Sequence, residues 1–470
     1  MGTTEEDSLR RIPSVDALLR SPQLAELAEH LPRQVLVDAV RAATEAVRAA
    51  ARSGSTAADG PDITEQIAEV ARHTAALAMG PHYRKAINAA GIVLHTGLGR
   101  AVLAPRALQQ IREQLAGYSI LQLDPRTGKR AQRDARIEWL LQQLTGAAAA
   151  TVVNNNAAAT MIVLNTVAAG REVIVSRGQL VEIGGSYRLP EVMAASGARL
   201  VEVGSTNKTH LRDYERAITE NTAAILRVHP SNYRIVGFAS EVPLPELEAL
   251  AHARGLVLID DVGAGSLIDF AQFGFDPEPT LPESVQVGAD LITASADKLI
   301  GASQAGIILG RPDLIKAVRR NPLNRIVRVG KLTLAALEAT LALFLDEAEA
   351  LREVPTLAML RRPLAELREQ AERIALALAG ACADAQVTTV AGSSQMGSGS
   401  LPGQNLPTCL VAIAGNWSAD TLARRLRQQS PAIFTRIQKD AVLIDPRTLQ
   451  DGEETVLVET VARTLRANAD

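Results

Sequence analysis

Lys298 stands at the end of Ala289-Asp290-Leu291-Ile292-Thr293-Ala294-Ser295-Ala296-Asp297-Lys298, just past an apolar run of strand length. A second apolar run upstream, Leu256-Val257-Leu258-Ile259, closes on Asp260-Asp261. Strand ends converge on one crevice in an open parallel sheet, so a lysine and an acid from distant strands can meet there. A neutral lysine amine that forms a Schiff base, paired with an acid that keeps a pyridine nitrogen protonated, is the equipment of pyridoxal phosphate chemistry, in which the ring accepts electrons from a substrate carbanion. Asp260 is the expected partner of the pyridinium, because it closes the strand where its carboxylate would reach the crevice. Asp261 follows with its side chain on the opposite side of an extended chain and is expected to cap the following turn.

A phosphate needs a cradle. Asn154-Asn155-Asn156-Ala157 follows the strand-like Ala150-Thr151-Val152-Val153 and opens a helix. Free backbone N–H groups and the positive end of a helix dipole at that place suit the cofactor phosphate. Three arginines add anion-binding capacity: Arg100 after Gly97-Leu98-Gly99, and Arg325 and Arg328 within Arg319-Arg320-Asn321-Pro322-Leu323-Asn324-Arg325-Ile326-Val327-Arg328. Planar guanidiniums with five donors match a tetrahedral oxyanion.

These residues need a scaffold. From about residue 148, apolar strand-like runs at 150–153, 172–175, 199–203, 224–228, 256–259, 291–293 and 306–309 alternate with helical stretches. That alternation predicts an α/β fold: a doubly wound, mostly parallel sheet of seven strands with helices on both faces. Residues 13 to 52 read as helices interrupted at Pro32, with Leu24, Leu27, Leu31, Val35, Val37 and Val40 at helical spacings. Ser53 to Pro61 is a linker of small residues. A helix near 63–78 then leads into the main body, and long helices with a few hairpin-like strands fill the region beyond 345. The expected division is a helical module at 1–60, a linker helix and entry segment at 61–147, a cofactor-binding large domain at 148–344 and a smaller α/β domain at 345–470.

With 470 residues and 47% hydrophobic content the chain is long enough for two or three domains and a large core. A formal charge of -3 gives no global attraction for nucleic acid or anionic membrane. Only Cys382 and Cys409 are present, which excludes a disulfide framework and a cysteine-rich metal site; no metal is expected. Both sit in apolar surroundings and read as small buried hydrophobes. The acidic start (Glu5, Glu6, Asp7) lacks an apolar signal core, and no run is long enough to span a bilayer, so the cytoplasm is the expected compartment.

Several long motifs carry a resemblance. Ile87-Asn88-Ala89-Ala90-Gly91-Ile92-Val93-Leu94-His95-Thr96-Gly97-Leu98-Gly99-Arg100, Val181 to Arg188, Gly204-Ser205-Thr206-Asn207-Lys208-Thr209, Ser231 to Phe238, Gly288 to Ile292 and Asp297-Lys298-Leu299 closely resemble bacterial selenocysteine synthase, the L-seryl-tRNA(Sec) selenium transferase family. Pro13-Ser14-Val15-Asp16 and Ser400-Leu401-Pro402-Gly403 extend it over nearly the whole chain. The resemblance implies a fold-type-I pyridoxal phosphate enzyme. It implies conversion of seryl-tRNA(Sec) to selenocysteinyl-tRNA(Sec) with selenophosphate, through a cofactor-bound dehydroalanyl intermediate, by a homo-oligomer assembled as a ring of dimers. Carried over by motif, Lys298 is the Schiff-base lysine, Arg100, Arg325 and Arg328 hold selenophosphate or its leaving phosphate, and the N-terminal module grips the tRNA.

The chain departs from the family pattern at several positions. Ala296 and Ala302 stand where glycines are usual, and an alanine is strained if that glycine takes φ > 0. Gly97, Gln179, Ala131 and Pro230 replace an asparagine, a glutamate, a glycine and a threonine, and Gln179 removes a charge from a loop expected to face the ring. Two other functions compete with the transferase reading: a pyridoxal phosphate lyase acting on a small amino acid or sugar acid, and a catalytically silent tRNA-binding scaffold. The N-terminal module discriminates against the lyase, although residues 1–60 carry more acidic than basic side chains.

Overall fold

The structure, a computed structural model, describes residues 12–52 and 62–469. The expected linker at 53–61 and the acidic start lie outside them. The chain divides into two compact units, residues 1–85 and 86–470.

In the first unit, helices α1 (Val15–Leu19), α2 (Pro22–His30), α3 (Arg33–Arg52) and α4 (Ile63–Met79) share one core. Leu36, Val40, Ala43 and Val47 recur on one face of α3 and meet Ile67, Ala68 and Ala71 of α4, beside Leu18 and Leu24. Ser14 caps α1 by accepting from the Ala17 N–H, and Asp62 caps α4 through Thr64. The break between α2 and α3 falls at Leu31-Pro32, as the proline implied. The helix at 63–79, expected as a linker helix leading into the main body, contributes Ile67, Ala68 and Ala71 to this helical core.

The second unit opens with β1 (Ala86–Asn88), followed by α5 (Pro105–Gln114) and α6 (Ala135–Thr145). Next come β2 (Ala149–Val153), α7 (Asn156–Ala168), β3 (Glu172–Ser176), the short hairpin β4 (Glu182–Ile183) and β5 (Tyr187–Arg188), then β6 (Arg199–Val203) and β7 (Thr222–Val228). The remaining large-sheet strands are β8 (Val257–Gly263), β9 (Leu291–Ser295) and β10 (Gly306–Gly310). The sheet has seven strands in the order β2-β10-β9-β8-β7-β3-β6. All neighbours are parallel except β10, which runs antiparallel to both β2 and β9. Every residue of β2, β7 and β9 is buried, as expected for strands covered by helices on both faces.

Beyond it lie β11 (Gln386–Gly397), β12 (Ser400–Ala414), β13 (Ala432–Phe434), β14 (Arg436–Gln438) and β15 (Ala441–Ile444). A four-stranded antiparallel sheet, β11-β12-β15-β14, packs its apolar face on helices Leu364–Leu378, Ala419–Arg427 and Glu453–Ala469. Both cysteines are buried and unbonded in this core. Residues 86–470 form one compact unit, and its N-terminal strand joins its start to this C-terminal sheet region. β1 pairs in parallel with β13, and Thr448 donates to the Asn88 carbonyl at 2.6 Å. The chain continues along the β11–β12 hairpin, where the Val93 and Leu94 N–H groups donate to the Gln395 and Met396 carbonyls. The segment that delivers Arg100 is therefore anchored on residues from the far end of the chain. Among the described residues, no helix is long and apolar enough to cross a membrane.

Candidate active site

At the carboxyl ends of β7, β8 and β9 lies a cavity of about 620 Å³. Lys298, Asp261, Asp297, Arg100, Asn155, Asn156 and Ala157 all line it. The hairpin β4–β5, His229, Ser231 and Asn232 after β7, and the β11–β12 tip at Ser398-Gly399 contribute further to its wall. Ser398 is held at this mouth by its hydroxyl, 3.1 Å from Thr96 Oγ1.

Lys298 is 5% exposed. Burial, then the Arg100 guanidinium, push its amine below the ordinary lysine value, while Asp297 and Asp261 pull the other way. A lowered value favours the neutral, nucleophilic amine. Arg100 follows Gly99 in the left-handed region (φ 64) and places Nη1 2.6 Å from Asp297 Oδ2. A non-glycine residue held there costs energy and marks a constrained position.

The two acids of β8 separate cleanly. Asp261 faces the cavity: Oδ1 accepts from Asn156 Nδ2 (2.9 Å) and the Gly263 N–H (3.1 Å), and Oδ2 from Thr160 Oγ1 (3.0 Å). Burial raises its carboxyl value against the pull of those hydrogen bonds. Asp260, the acid that the sequence favours, does not line the cavity. It is fully buried elsewhere, accepting from Arg227 Nη1 at 2.9 Å and Ser284 Oγ at 2.7 Å. Asp261 caps the following turn through the Gly263 N–H, as expected, but it is also the acid that lines the cavity, where Asp260 had been expected.

Helix α7 begins at the cavity wall, with Asn155 as its cap accepting from the Ala158 N–H. Its first N–H groups have no intrahelical partners, which makes this end an anion site. Asn156 and Ala157 line the cavity as expected, and Asn155 combines lining with capping. Asn154 is exposed and does not line it. Arg325 and Arg328 are also exposed and absent from the wall; Arg325 ends a 3-10 turn, Pro322–Arg325. Of the three arginines, Arg100 lines this cavity and Arg325 and Arg328 do not.

The departures from the family pattern are accommodated. Ala296 and Ala302 are buried, and neither takes a left-handed φ, so their methyl groups bring no backbone strain. The strained neighbour is Gly301 (φ 74), where an added Cβ would fall 2.6 Å from Val354 Cγ1. Gly301→Ala is expected to cost about 2 kcal/mol or more, from the left-handed backbone and the overpacked wall. A lowered urea midpoint with an unchanged m-value measures it. Gln179 does not face the Lys298 cavity; it is buried, accepts from the Val228 N–H at 3.1 Å and lines a neighbouring cavity of about 550 Å³.

Tyr187, Ser231, Asn232 and Asp297, which lie in the family-like motifs but carry no expected role, line the cavity, as do His229 and the Ser398-Gly399 tip, which the motifs do not include. A polar stretch directly after the apolar β7 run was the available signal for His229 to Asn232.

Comparison with known proteins agrees with this geometry. A family model described as L-seryl-tRNA selenium transferase matches residues 86–450, and one for the selenocysteine synthase N terminal matches residues 9–48. The L-seryl-tRNA(Sec) selenium transferase of Solidesulfovibrio magneticus is 49% identical over 464 residues, covering 97% of this chain and 98% of that protein. The one from Nitratidesulfovibrio vulgaris is 48% identical over 450 residues, covering 94% and 96%. Among solved structures, D-glucosaminate-6-phosphate ammonia-lyase superposes with a TM-score of 0.58 at 22% identity, over 84% of this chain and 99% of that one. The architecture is the type-I fold of pyridoxal phosphate enzymes, as the resemblance implied. On the match across both of its units, the chain belongs to the L-seryl-tRNA selenium transferase family.

Proposed function

We propose that this protein converts L-seryl-tRNA(Sec) to L-selenocysteinyl-tRNA(Sec) with selenophosphate, using pyridoxal phosphate held at Lys298. The observation that carries the reading is the convergence of a buried lysine, a buried acid and a helix N-terminus on one cavity. The residues present fit the cofactor. Asn156 Oδ1, His229 Nδ1 and Asn232 Oδ1 are buried without a protein partner on residues that line the cavity, which is what a bound polar group would satisfy. Lys298 would bind the aldehyde carbon, Asp261 would hold the proton on the pyridine nitrogen, and the first N–H groups of α7 with Asn156 and Ala157 would take the phosphate. When bound, the cofactor supplies an electron sink for charge developing at the seryl α-carbon.

The chain's own groups do the rest. Freed by the seryl amine, the Lys298 amine takes the α-proton. Arg100, oriented by Asp297, presents its remaining N–H groups to selenophosphate or departing phosphate. The Ser398-Gly399 tip and the β4–β5 hairpin wall the cavity against water, which protects a reactive electrophile. Arg325 and Arg328 have no part at this chain's own cavity in the reading.

The helical unit is proposed to hold the tRNA, and assembly as a ring of dimers goes with the family resemblance. A tRNA substrate also goes with a cytoplasmic setting. The match over residues 9–48 supports the transferase against a small-molecule lyase, and the unstrained alanines support an active enzyme over a silent scaffold. Deleting residues 1–85 is expected to weaken seryl-tRNA(Sec) binding at least about tenfold, by loss of a second linked contact, while the cofactor stays bound. Filter binding and an absorbance scan measure the two separately. The decisive experiment supplies seryl-tRNA(Sec) and selenophosphate to the purified protein and identifies the amino acid on the tRNA. Recovery of serine alone, where a known synthase works, overturns the proposal.

A further inference from the structure

His229 lines the Lys298 cavity and also the neighbouring cavity of about 550 Å³, and no other residue is common to both walls. Its backbone N–H donates to the Asp261 carbonyl at 2.9 Å, so its position is fixed to the acid of the site. Its Nε2 lies 2.7 Å from Oε2 of Glu278, whose side chain is 8% exposed. Glu278 lines the neighbouring cavity only, with the Arg234 guanidinium 3.9 Å from its other oxygen. The second ring nitrogen, Nδ1, is buried and has no partner.

A carboxylate on one imidazole nitrogen fixes the ring's orientation and leaves the other nitrogen to act. In the protonated ring both nitrogens are donors, so one N–H goes to Glu278 and the other, without a protein partner, is left to donate. The reaction proposed above needs such a donor. Hydroxide is a poor leaving group, and Lys298 is already occupied with the α-proton.

We infer that His229 protonates the departing seryl hydroxyl, and that Glu278 is its positioning residue. The inference rests on the transferase reading. As the α-carbon–hydrogen bond breaks, its proton goes to the Lys298 amine and its electron pair forms the double bond to the β-carbon. The β-carbon–oxygen bond breaks with its pair on oxygen, and the His229 Nδ1 proton converts the hydroxyl to water. When hydrogen selenophosphate adds through selenium, the proton that it sheds returns to Nδ1 and Lys298 returns the α-proton. Water then breaks the selenium–phosphorus bond, its oxygen leaving on phosphate and its proton on selenium, so no oxidant and no reactant beyond water is required.

The test uses full-length holoenzyme, wild type and the variants His229→Asn and Glu278→Gln, each first shown to keep the visible absorbance of bound pyridoxal phosphate. Two substrates are compared: seryl-tRNA(Sec), and the same tRNA carrying β-chloroalanine, whose chloride leaves without a proton. His229→Asn is expected to exchange the seryl α-proton with deuterium at near the wild-type rate, yet form selenocysteine about 100-fold more slowly, the usual worth of a general acid. With β-chloroalanine the deficit shrinks to within a few-fold. Glu278→Gln shows the same pattern with a smaller loss. Equal slowing on both substrates, loss of α-proton exchange, or seryl turnover near wild type in His229→Asn overturns the assignment. If the wild-type chain itself neither exchanges nor converts seryl-tRNA(Sec), the functional reading falls and this assignment falls with it.

Discussion

Lys298→Ala is expected to abolish the visible absorbance band of lysine-bound pyridoxal phosphate and to lower selenocysteine formation by at least about 10³-fold, because in the proposed function one side chain would serve as both the cofactor anchor and the α-proton acceptor. Lys298 is 5% exposed, and both burial and the Arg100 guanidinium disfavour the charged form of its amine. Removing it relieves a desolvation cost rather than breaking a strong pair. The variant is therefore expected to fold with an unchanged or slightly raised thermal midpoint. An absorbance scan, a melting curve and the tRNA assay on one preparation separate loss of chemistry from loss of fold. A variant that keeps the band places the Schiff base elsewhere.

Adjacent acids on β8 are expected to give opposite phenotypes. Asp261→Asn removes the carboxylate that would hold the pyridine proton, and turnover falls by about 100-fold or more while the fold persists. Asp260→Asn leaves turnover within a few-fold but removes the charge paired with Arg227, whose side chain is 11% exposed. An unmatched buried guanidinium costs about 3 kcal/mol. Steady-state rates and urea midpoints for the two variants should cross over. If Asp260→Asn is instead the catalytically dead protein, the geometry of this site has been misassigned.

The confusion of these two residues has a physical origin. Five of the seven residues of β8 are buried, with covered faces on both sides, so its sequence lacks the polar and apolar alternation that would say which acid points where. The pairing of β8 with β9 also shifts register between Asp261 and Gly263, beside the acids themselves. Counting residues along the strand gives relative directions only. The seven strands were legible because each is a short apolar run bounded by polar or glycine-containing turns, and that pattern is local. Lys298 and the start of α7 were legible for the same reason.

Longer-range placement was not readable in this way. Helix α4 shows an apolar face, but a face does not name the core that it will join, and the expected linker helix packs into the core of the first unit. Arg325 and Arg328 have the right chemistry for an oxyanion, yet their position depends on the path of a short turn. His229 and the Ser398-Gly399 tip reach the cavity from segments far apart in sequence, and neither carries a signal strong enough alone to announce a site.

The parallel pairing of β1 with β13 bears on how the polypeptide matures during synthesis. Ala86–Asn88 emerges from the ribosome early, but its partner Ala432–Phe434 is among the last strands translated. Closing so long a loop is slow, and the early strand has to remain unpaired until translation is nearly over. A nascent chain halted before β13 would possess its lysine, its acid and the contacts of Val93 and Leu94 with the β11–β12 hairpin, while β1 itself would still lack its partner strand. The last tie on the arginine-bearing segment thus forms only as synthesis ends.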